Sequence, residues 1–212
     1  MNATALKLTK GEETRALILE EAIKMASELG FEALTIGSLA ERTGLSKSGL
    51  FAHFGSKVEL QLATLDEAGR RFTENVFLPS LKAPRGVKRL RALFDGWLAW
   101  TERSSLPGGC PIEAATHEFD DRPGPMRDGL IERWKVLERE LSKGAQLAID
   151  VGDFAPETDV RQVAFEFLSV ILGYYRADFV LGRETARKLA TRSFDRMIEA
   201  ASKPTAVAAT SR

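Results

Sequence analysis

The chain has 212 residues, of which 44% are hydrophobic and 28% are charged, and its formal net charge is +0. This length and apolar content supply a core for one large domain, or for a small module and a larger one. The balanced charge argues against a protein that coats nucleic acid through a global basic field. The single cysteine excludes an internal disulfide framework.

The apolar runs also bear on where the protein acts. The longest of them, such as Val163 to Tyr175, are interrupted by charge and fall short of the roughly 20 residues of a membrane span. The first residues lack the basic start and continuous apolar run of a signal peptide. We therefore expect no membrane association and a cytoplasmic location.

The first predicted helix begins at a capping box, in which Thr9 and Glu12 satisfy each other's backbone amides. Apolar residues then recur at helical spacing until Gly30. The predicted inward stripe is Leu17, Ile18, Ala22, Met25, Ala26 and Leu29. We expect it to pack on the next two helices, with Phe31 and Leu34 completing a three-helix core.

Residues 35–54 have the layout of two short helices joined by a tight turn. Thr35 is placed to cap the first helix, and Gly44 is suited to the left-handed conformation that ends it. Leu45 is expected to fill the space between the helices, and Ser46 to cap the second. This is the layout of a DNA-reading helix-turn-helix.

The second of these helices has an apolar side and a small, polar side. Leu50 and Phe54 recur at i, i+4 and face inward. The outer side carries Lys47, Ser48, Gly49, Ala52 and His53. A face of this kind enters a major groove, which is about 12 Å wide, without steric obstruction. Because residues 42–57 include three basic side chains and no Asp or Glu, we expect positive charge to collect there.

In the rest of the chain, apolar residues recur at helical spacing. Ser56 is placed to cap a fourth helix that leads away from the reading motif, and a bend is predicted between about 79 and 86. A short helix starts after Cys110, since proline at position 111 suits a first helical turn. Breaks at 119–125 and 151–156 separate long helices, of which the last two span about 158–181 and 184–202. No period-2 strand pattern is present, so the predicted class is all-α.

Cys110 admits two interpretations. A thiol at a helix N-terminus lies at the positive end of the helix dipole, which favours the reactive thiolate and suits a redox or electrophile sensor. The simpler interpretation is a small apolar side chain that packs between Gly109 and Pro111. A thiol enzyme that uses Cys110 as its nucleophile is the rival function. It lacks a plausible base, because His117 lies about two turns further along the same short helix. No catalytic residue, cofactor or metal site is predicted, because His117 lacks a second His or Cys at ligand spacing.

The run from Thr14 to Leu60 resembles the tetracycline-repressor (TetR) family of bacterial transcriptional regulators. The most specific matching pieces are residues 23–36, 39–40, 43–46, 50–54 and 56–60. Further on, residues 108–111 and 118–125 are similar to a pattern in one branch of the family. The resemblance implies a dimer, an operator with two-fold symmetry and a C-terminal domain that senses a small molecule. The predicted ranges are 1–56 for a three-helix helix-turn-helix head, 57–203 for a larger helical effector-binding and dimerisation domain, and 204–212 for a disordered tail.

The resemblance also assigns residues to double-stranded operator DNA. It places Lys47, Ser48 and Gly49 at base edges and His53 and Lys57 at phosphates, and hydroxyls at two threonines are suited to phosphate as well. The full predicted set is Thr35, Thr43, Ser46, Lys47, Ser48, Gly49, Phe51, His53 and Lys57. Two positions depart from the family pattern. Phe51 stands where a tyrosine usually offers a hydroxyl to phosphate, and Gly49 often has a hydroxyl-bearing counterpart.

Two further sets belong to the C-terminal domain. The family's effector pocket lies between its helices, and we predict a largely apolar effector bound by Phe94, Trp97, Cys110, His117, Phe119, Trp134, Phe167, Ile171 and Tyr174. The last two helices carry more apolar surface than one side each needs, which indicates a four-helix bundle across a two-fold axis. The predicted interface is Val163, Phe167, Val170, Tyr174, Phe194, Met197 and Ile198. The sequence thus indicates a homodimeric repressor released by a small-molecule or thiol-reactive effector, with a DNA-binding activator or a Cys110 enzyme as alternatives.

Overall fold

The computed structural model of the chain describes residues 9–202, which form helices joined by turns with no β-strand among them. The predicted all-α class is confirmed. The helices are α1 Lys10–Leu29, α2 Ile36–Thr43, α3 Lys47–Phe54, α4 Lys57–Phe72, α5 Leu78–Ser80, α6 Val87–Leu98, α7 Trp100–Arg103, α8 Pro111–Phe119, α9 Pro125–Asp150, α10 Val160–Leu181 and α11 Arg183–Ser202, with a π-helical turn at Thr73–Phe77. In this part of the chain every helix is too short or too polar to cross a membrane. The predicted tail at 204–212 lies outside the described residues.

The chain is divided into two compact units. The first takes in the chain up to Phe72 together with Thr101–Ile131, and the second takes in Thr73–Trp100 and the chain from Glu132 onward. The predicted ranges 1–56 and 57–203 divide the chain differently, because α4 and α8 pack with α1 in the first unit. The extent of the functional domains stays a prediction.

Helix α1 begins at the predicted capping box. The Glu12 amide donates to Thr9 Oγ1 at 3.3 Å, and the Thr9 amide donates to the Glu12 carboxylate at 2.7 Å. The predicted inward stripe is wrong at two positions, since Leu17 and Leu29 are exposed and Leu19 is buried instead. Because α1 packs against α2, α4 and α8, its buried face is broader and differently centred than a single helical stripe.

The turn of the helix-turn-helix forms as predicted. Gly44 ends α2 in the left-handed conformation, with φ 69° and ψ 12°, and its amide donates to the Ala40 carbonyl. Leu45 was expected to fill the space between α2 and α3, but it is 41% exposed, so that prediction is wrong. Leu39 on α2 and Leu50 on α3 are fully buried in the same cluster and fill that space.

The core of the first unit combines the head with residues far along the chain. Its cluster includes Phe31, Leu34 and side chains of α1 to α4, as expected for the three-helix head and the helix after it. It also includes four side chains of α8 and the beginning of α9, which are Ala115, Phe119, Met126 and Leu130. The three helices of the head therefore do not form a hydrophobic core of their own.

The second unit is held by aromatic contacts between α6, α10 and α11. Phe94 stacks on Phe194 at a centroid distance of 4.3 Å and meets Phe167 edge to face at 6.0 Å. The Tyr174 hydroxyl donates to the Leu98 carbonyl at 3.1 Å. These contacts hold the last two helices against α6.

Candidate DNA interface

The outer face of α3 is small, polar and accessible. The Ser46 hydroxyl caps the helix by accepting from the Gly49 amide at 3.1 Å. Lys47, Ser48 and Gly49 are exposed, and no ion pair engages Lys47 within residues 9–202. The first turn of α3 therefore presents a cation and small polar groups together, which suits contact with base edges.

Phe51 continues this face one helical turn after Lys47. It is 55% exposed, whereas the adjacent Leu50 and Phe54 are buried. His53 is half-buried, and its ring lies 6.2 Å from that of Phe54. The inward and outward sides of α3 are thus as predicted.

The two threonines of the predicted set act first as helix caps and backbone partners. Thr35 Oγ1 accepts from the Ser38 amide at 3.0 Å, and the Ser38 hydroxyl lies 2.9 Å from it. The Thr43 hydroxyl donates to the Leu39 carbonyl at 2.7 Å. In this arrangement the Thr43 proton is committed to its own helix, so a phosphate contact through that proton requires the hydroxyl to rotate.

Arg42 does not supply the free positive charge that the sequence suggested. Its guanidinium binds both oxygens of Glu28, at 2.8 Å and 3.1 Å, and also contacts Glu21 at 3.4 Å. The same hydrogen bonds lower the pKa of the Glu28 carboxyl. Both glutamates lie on α1, outside the acid-free stretch 42–57. The expected local field is therefore smaller than the sequence of that stretch indicates.

Lys57 is paired as well, but only through an exposed contact. Its Nζ lies 3.3 Å from Glu32 Oε2, and the other oxygen of Glu32 lies 3.6 Å from Arg122. Exposed ion pairs of this kind contribute about 0 to 1 kcal/mol. A phosphate therefore competes readily with Glu32 for Lys57.

The loop between α1 and α2 is bound by both α8 and α4. Glu118 on α8 accepts from the amides of Phe31 and Glu32, at 2.9 Å and 2.7 Å. Gln61 on α4 donates to the Phe31 carbonyl at 2.6 Å. Gly30 permits this approach, because its φ is +83° and a Cβ there would overlap the Glu118 carboxylate. The loop that leads into the reading motif is thus fixed through its backbone.

A second contact joins the other end of the α8 segment to α1. The Ser27 hydroxyl donates to the Gly109 carbonyl at 2.8 Å and accepts from the Gly108 amide at 3.1 Å. A Cβ at Gly108 would overlap the backbone carbonyl of Ser27, so only glycine fits there. Cys110 follows as the N-cap of α8, as predicted, and is half-buried.

His117 lies at the surface of α8. Its side chain is 76% exposed, and its Nε2 is 3.1 Å from Glu113 Oε1. Burial raises the pKa of the Glu113 carboxyl, and the contact with His117 opposes that shift. Among residues 9–202 no group of three or more His, Cys, Asp or Glu is placed to hold a metal ion.

Two family profiles match the chain. The profile described as "Bacterial regulatory proteins, tetR family" covers residues 18–64, and "Tetracyclin repressor-like, C-terminal domain" covers residues 86–194. The HTH-type transcriptional repressor AcnR of Corynebacterium glutamicum is 40% identical over 177 residues, which are 83% of this chain and 87% of that repressor. The chain belongs to the TetR family of bacterial transcriptional regulators.

Solved structures agree with this assignment at the level of the fold. A TetR-family regulator from Cytophaga hutchinsonii superposes with a TM-score of 0.80 at 20% identity, covering 92% of this chain and 98% of its own. AibR in complex with isovaleryl coenzyme A and operator DNA gives a TM-score of 0.66 at 24% identity, covering 84% and 97%. The chain is thus a DNA-binding transcriptional regulator of the TetR family, and not an enzyme.

The predicted effector residues of this TetR-family chain do not all lie in one unit. Five of them are buried in the core of the second unit, namely Phe94, Trp97, Phe167, Ile171 and Tyr174. Trp134 is half-buried on α9 of the same unit. Cys110 at the N-cap of α8, and His117 and Phe119 on α8, belong to the first unit. The exposure of His117 does not support a position inside a pocket.

The predicted dimer residues are mostly core residues of a single chain. Five of the seven are buried, namely Val163, Phe167, Tyr174, Phe194 and Met197, while Val170 and Ile198 are half-buried. The physical reason is that this face of α10 and α11 is already covered within the chain, as the contacts of Phe94 with Phe167 and Phe194 demonstrate. Of the predicted set, only Val170 and Ile198 remain partly accessible on these helices.

The residues that hold the reading motif in place were not predicted from the sequence. Glu118 and Gln61 bind a backbone that lies some 30 to 90 positions earlier. Glu28 and Glu32 neutralise cations of the helix-turn-helix from outside it. No local spacing rule connects residues so far apart. The one signal in the sequence was the presence of Glu28 and Glu32 shortly before the motif, because these carboxylates are available to pair with its cations.

Replacing Glu32 by Gln should strengthen DNA binding. Without the carboxylate, Lys57 is released to phosphate, and we expect affinity for a short labelled duplex to rise by about two- to fivefold at low salt. The salt dependence should steepen, because each added phosphate contact contributes about 0.9 to the slope of log K against log salt. Fluorescence anisotropy across a salt series measures both. Glu41→Gln removes the same charge from α2 without freeing Lys57, and an equal gain in that control would contradict the role of the Glu32 pair.

Proposed function

We propose that this chain is a ligand-responsive repressor that binds a palindromic operator as a homodimer and leaves it when a small molecule binds. The accessible cation on the first turn of α3 is the observation that carries the DNA-binding half of this proposal. The match to the repressor AcnR over most of both chains supports repression. The complex of AibR with isovaleryl coenzyme A and operator DNA supports a small-molecule effector in this fold.

In this proposal α3 lies in the major groove. Lys47 donates to guanine O6 and N7, while the Ser48 hydroxyl and the backbone at Gly49 approach neighbouring base edges. His53 and Lys57 contact phosphates on either side of the groove, and the N-terminus of α4 adds amides aimed at an anion. One head offers few such contacts, so tight binding requires two heads at a fixed spacing.

The dimer in this proposal uses the outer face of α10. Phe165, Leu172 and Phe179 are 65%, 40% and 84% exposed, and they recur every seven residues, which places them on one side of the helix. Leu189 on α11 is also exposed. Residues 9–202 leave this apolar row exposed, and two such rows related by a two-fold axis would cover each other.

The effector we propose is largely apolar and acts through the second unit, where aromatic side chains line the helices that would enclose it. An effector that binds better to a form with a different head spacing weakens operator binding by the same factor. A thiol-reactive compound at Cys110 is an alternative, because this residue begins the helix that carries Glu118.

Removing the Lys47 ammonium should weaken selective binding. With a duplex selected by this chain from a randomised pool, we expect Lys47→Ala to lose about 10- to 100-fold in affinity, the contribution of a good base contact. The control Lys143→Ala makes the same change of charge on α9, outside the head, and should bind as the wild type does. Gel-shift titration measures both. Equal affinity of Lys47→Ala and wild type, or no selected sequence at low salt, would refute the proposal.

Introducing charge on the outer face of α10 should separate the protomers. We expect the double variant Phe165→Glu, Phe179→Glu to be monomeric by light scattering, because desolvating four added carboxylates in one interface is strongly unfavourable. Its helical circular dichroism should be unchanged, since both side chains are exposed in the single chain. Val136→Glu on α9 is the control and should remain dimeric. A double variant that stays dimeric would place the interface elsewhere.

A further inference from the structure

The reading helix carries an exposed aromatic ring, that of Phe51, which belongs to the predicted DNA-binding set but has no hydroxyl to offer a phosphate. Phe51 is 55% exposed, and no aromatic ring within residues 9–202 pairs with it. It lies four residues after Lys47, so both side chains project from the same side of α3. A large apolar side chain on a polar surface is available to a partner from outside the chain.

The chemistry of this ring restricts what it can recognise. Phenylalanine has no hydrogen-bond donor or acceptor, so it contributes nothing to the polar code of the base edges or to phosphate. The apolar group that base pairs present in the major groove is the thymine 5-methyl group. We propose that Phe51 selects a thymine in each half-site by packing on its 5-methyl group. This inference rests on the proposed function, because it takes α3 to lie in the groove.

The neighbouring residues leave room for this contact. Ser48, three residues before Phe51, and Gly55, four residues after it, are exposed neighbours of the ring, and neither carries a side chain long enough to cover it.

Substitution of uracil for thymine removes the methyl group and changes nothing else at the base edge, so it tests this contact directly. The probe is the duplex that wild-type protein selects from a randomised pool, with each thymine of both half-sites replaced by uracil in turn. At one thymine position of the half-site, we expect replacement by uracil to lower wild-type affinity about fourfold, because the burial of one methyl group contributes about this much. Phe51→Ala should bind thymine and uracil duplexes equally at that position. Lys47→Ala is the matched control, and it should bind more weakly while keeping the uracil effect.

The outcomes separate this inference from the proposed function. If wild type selects no sequence, both fail. If it selects a sequence but no uracil substitution matters, or if Phe51→Ala keeps the full uracil effect, the ring lies against sugar and phosphate and only the thymine contact is overturned. Phe51→Gln gives a second test should the alanine variant fold poorly, because it keeps the length of the side chain and should also lose the uracil effect.

Discussion

The backbone of Phe31 is the point on which the geometry of the DNA-reading head depends. Its amide donates to Glu118 on α8, and its carbonyl accepts from Gln61 on α4. A residue whose amide and carbonyl are both bound by side chains of other helices cannot move without breaking a hydrogen bond. The amide of the next residue, Glu32, donates to the same carboxylate, and the Glu32 side chain forms an ion pair with Lys57. A change in α8 is therefore felt where the reading motif begins, and also at a predicted phosphate contact.

Electrostatics in the head also follow from this arrangement. The three cations of residues 42–57 have different surroundings. Arg42 is bound by Glu28 and Glu21, and Lys57 forms one exposed ion pair. Lys47 forms no ion pair among the described residues. The net charge of the whole chain is +0, so no global field compensates. In the proposed function, binding then relies on few contacts per head, which makes pairing of two heads important.

The sequence predicted those features that local rules determine. The capping box at Thr9, the cap at Thr35, the left-handed Gly44 and the start of α8 after Cys110 all depend on residues within four positions of each other. The role of Glu118 was missed because its partners lie 86 and 87 residues away. Most of the predicted dimer residues are buried within the single chain for a related reason. Periodicity locates the apolar stripes of α10, but only the packing of α6 determines which stripe is core and which, such as that of Phe179, remains outside.

The Glu118 carboxylate holds the loop between α1 and α2 through two backbone amides. Amide hydrogen exchange at Phe31 and Glu32, followed by NMR in wild type and in Glu118→Ala, reports on this contact. We expect protected amides in wild type and exchange at least about tenfold faster at both positions in the variant, since hydrogen bonds to a charged group contribute about 1.5 to 3 kcal/mol. Unchanged exchange at both amides, in a variant that remains folded, would contradict it.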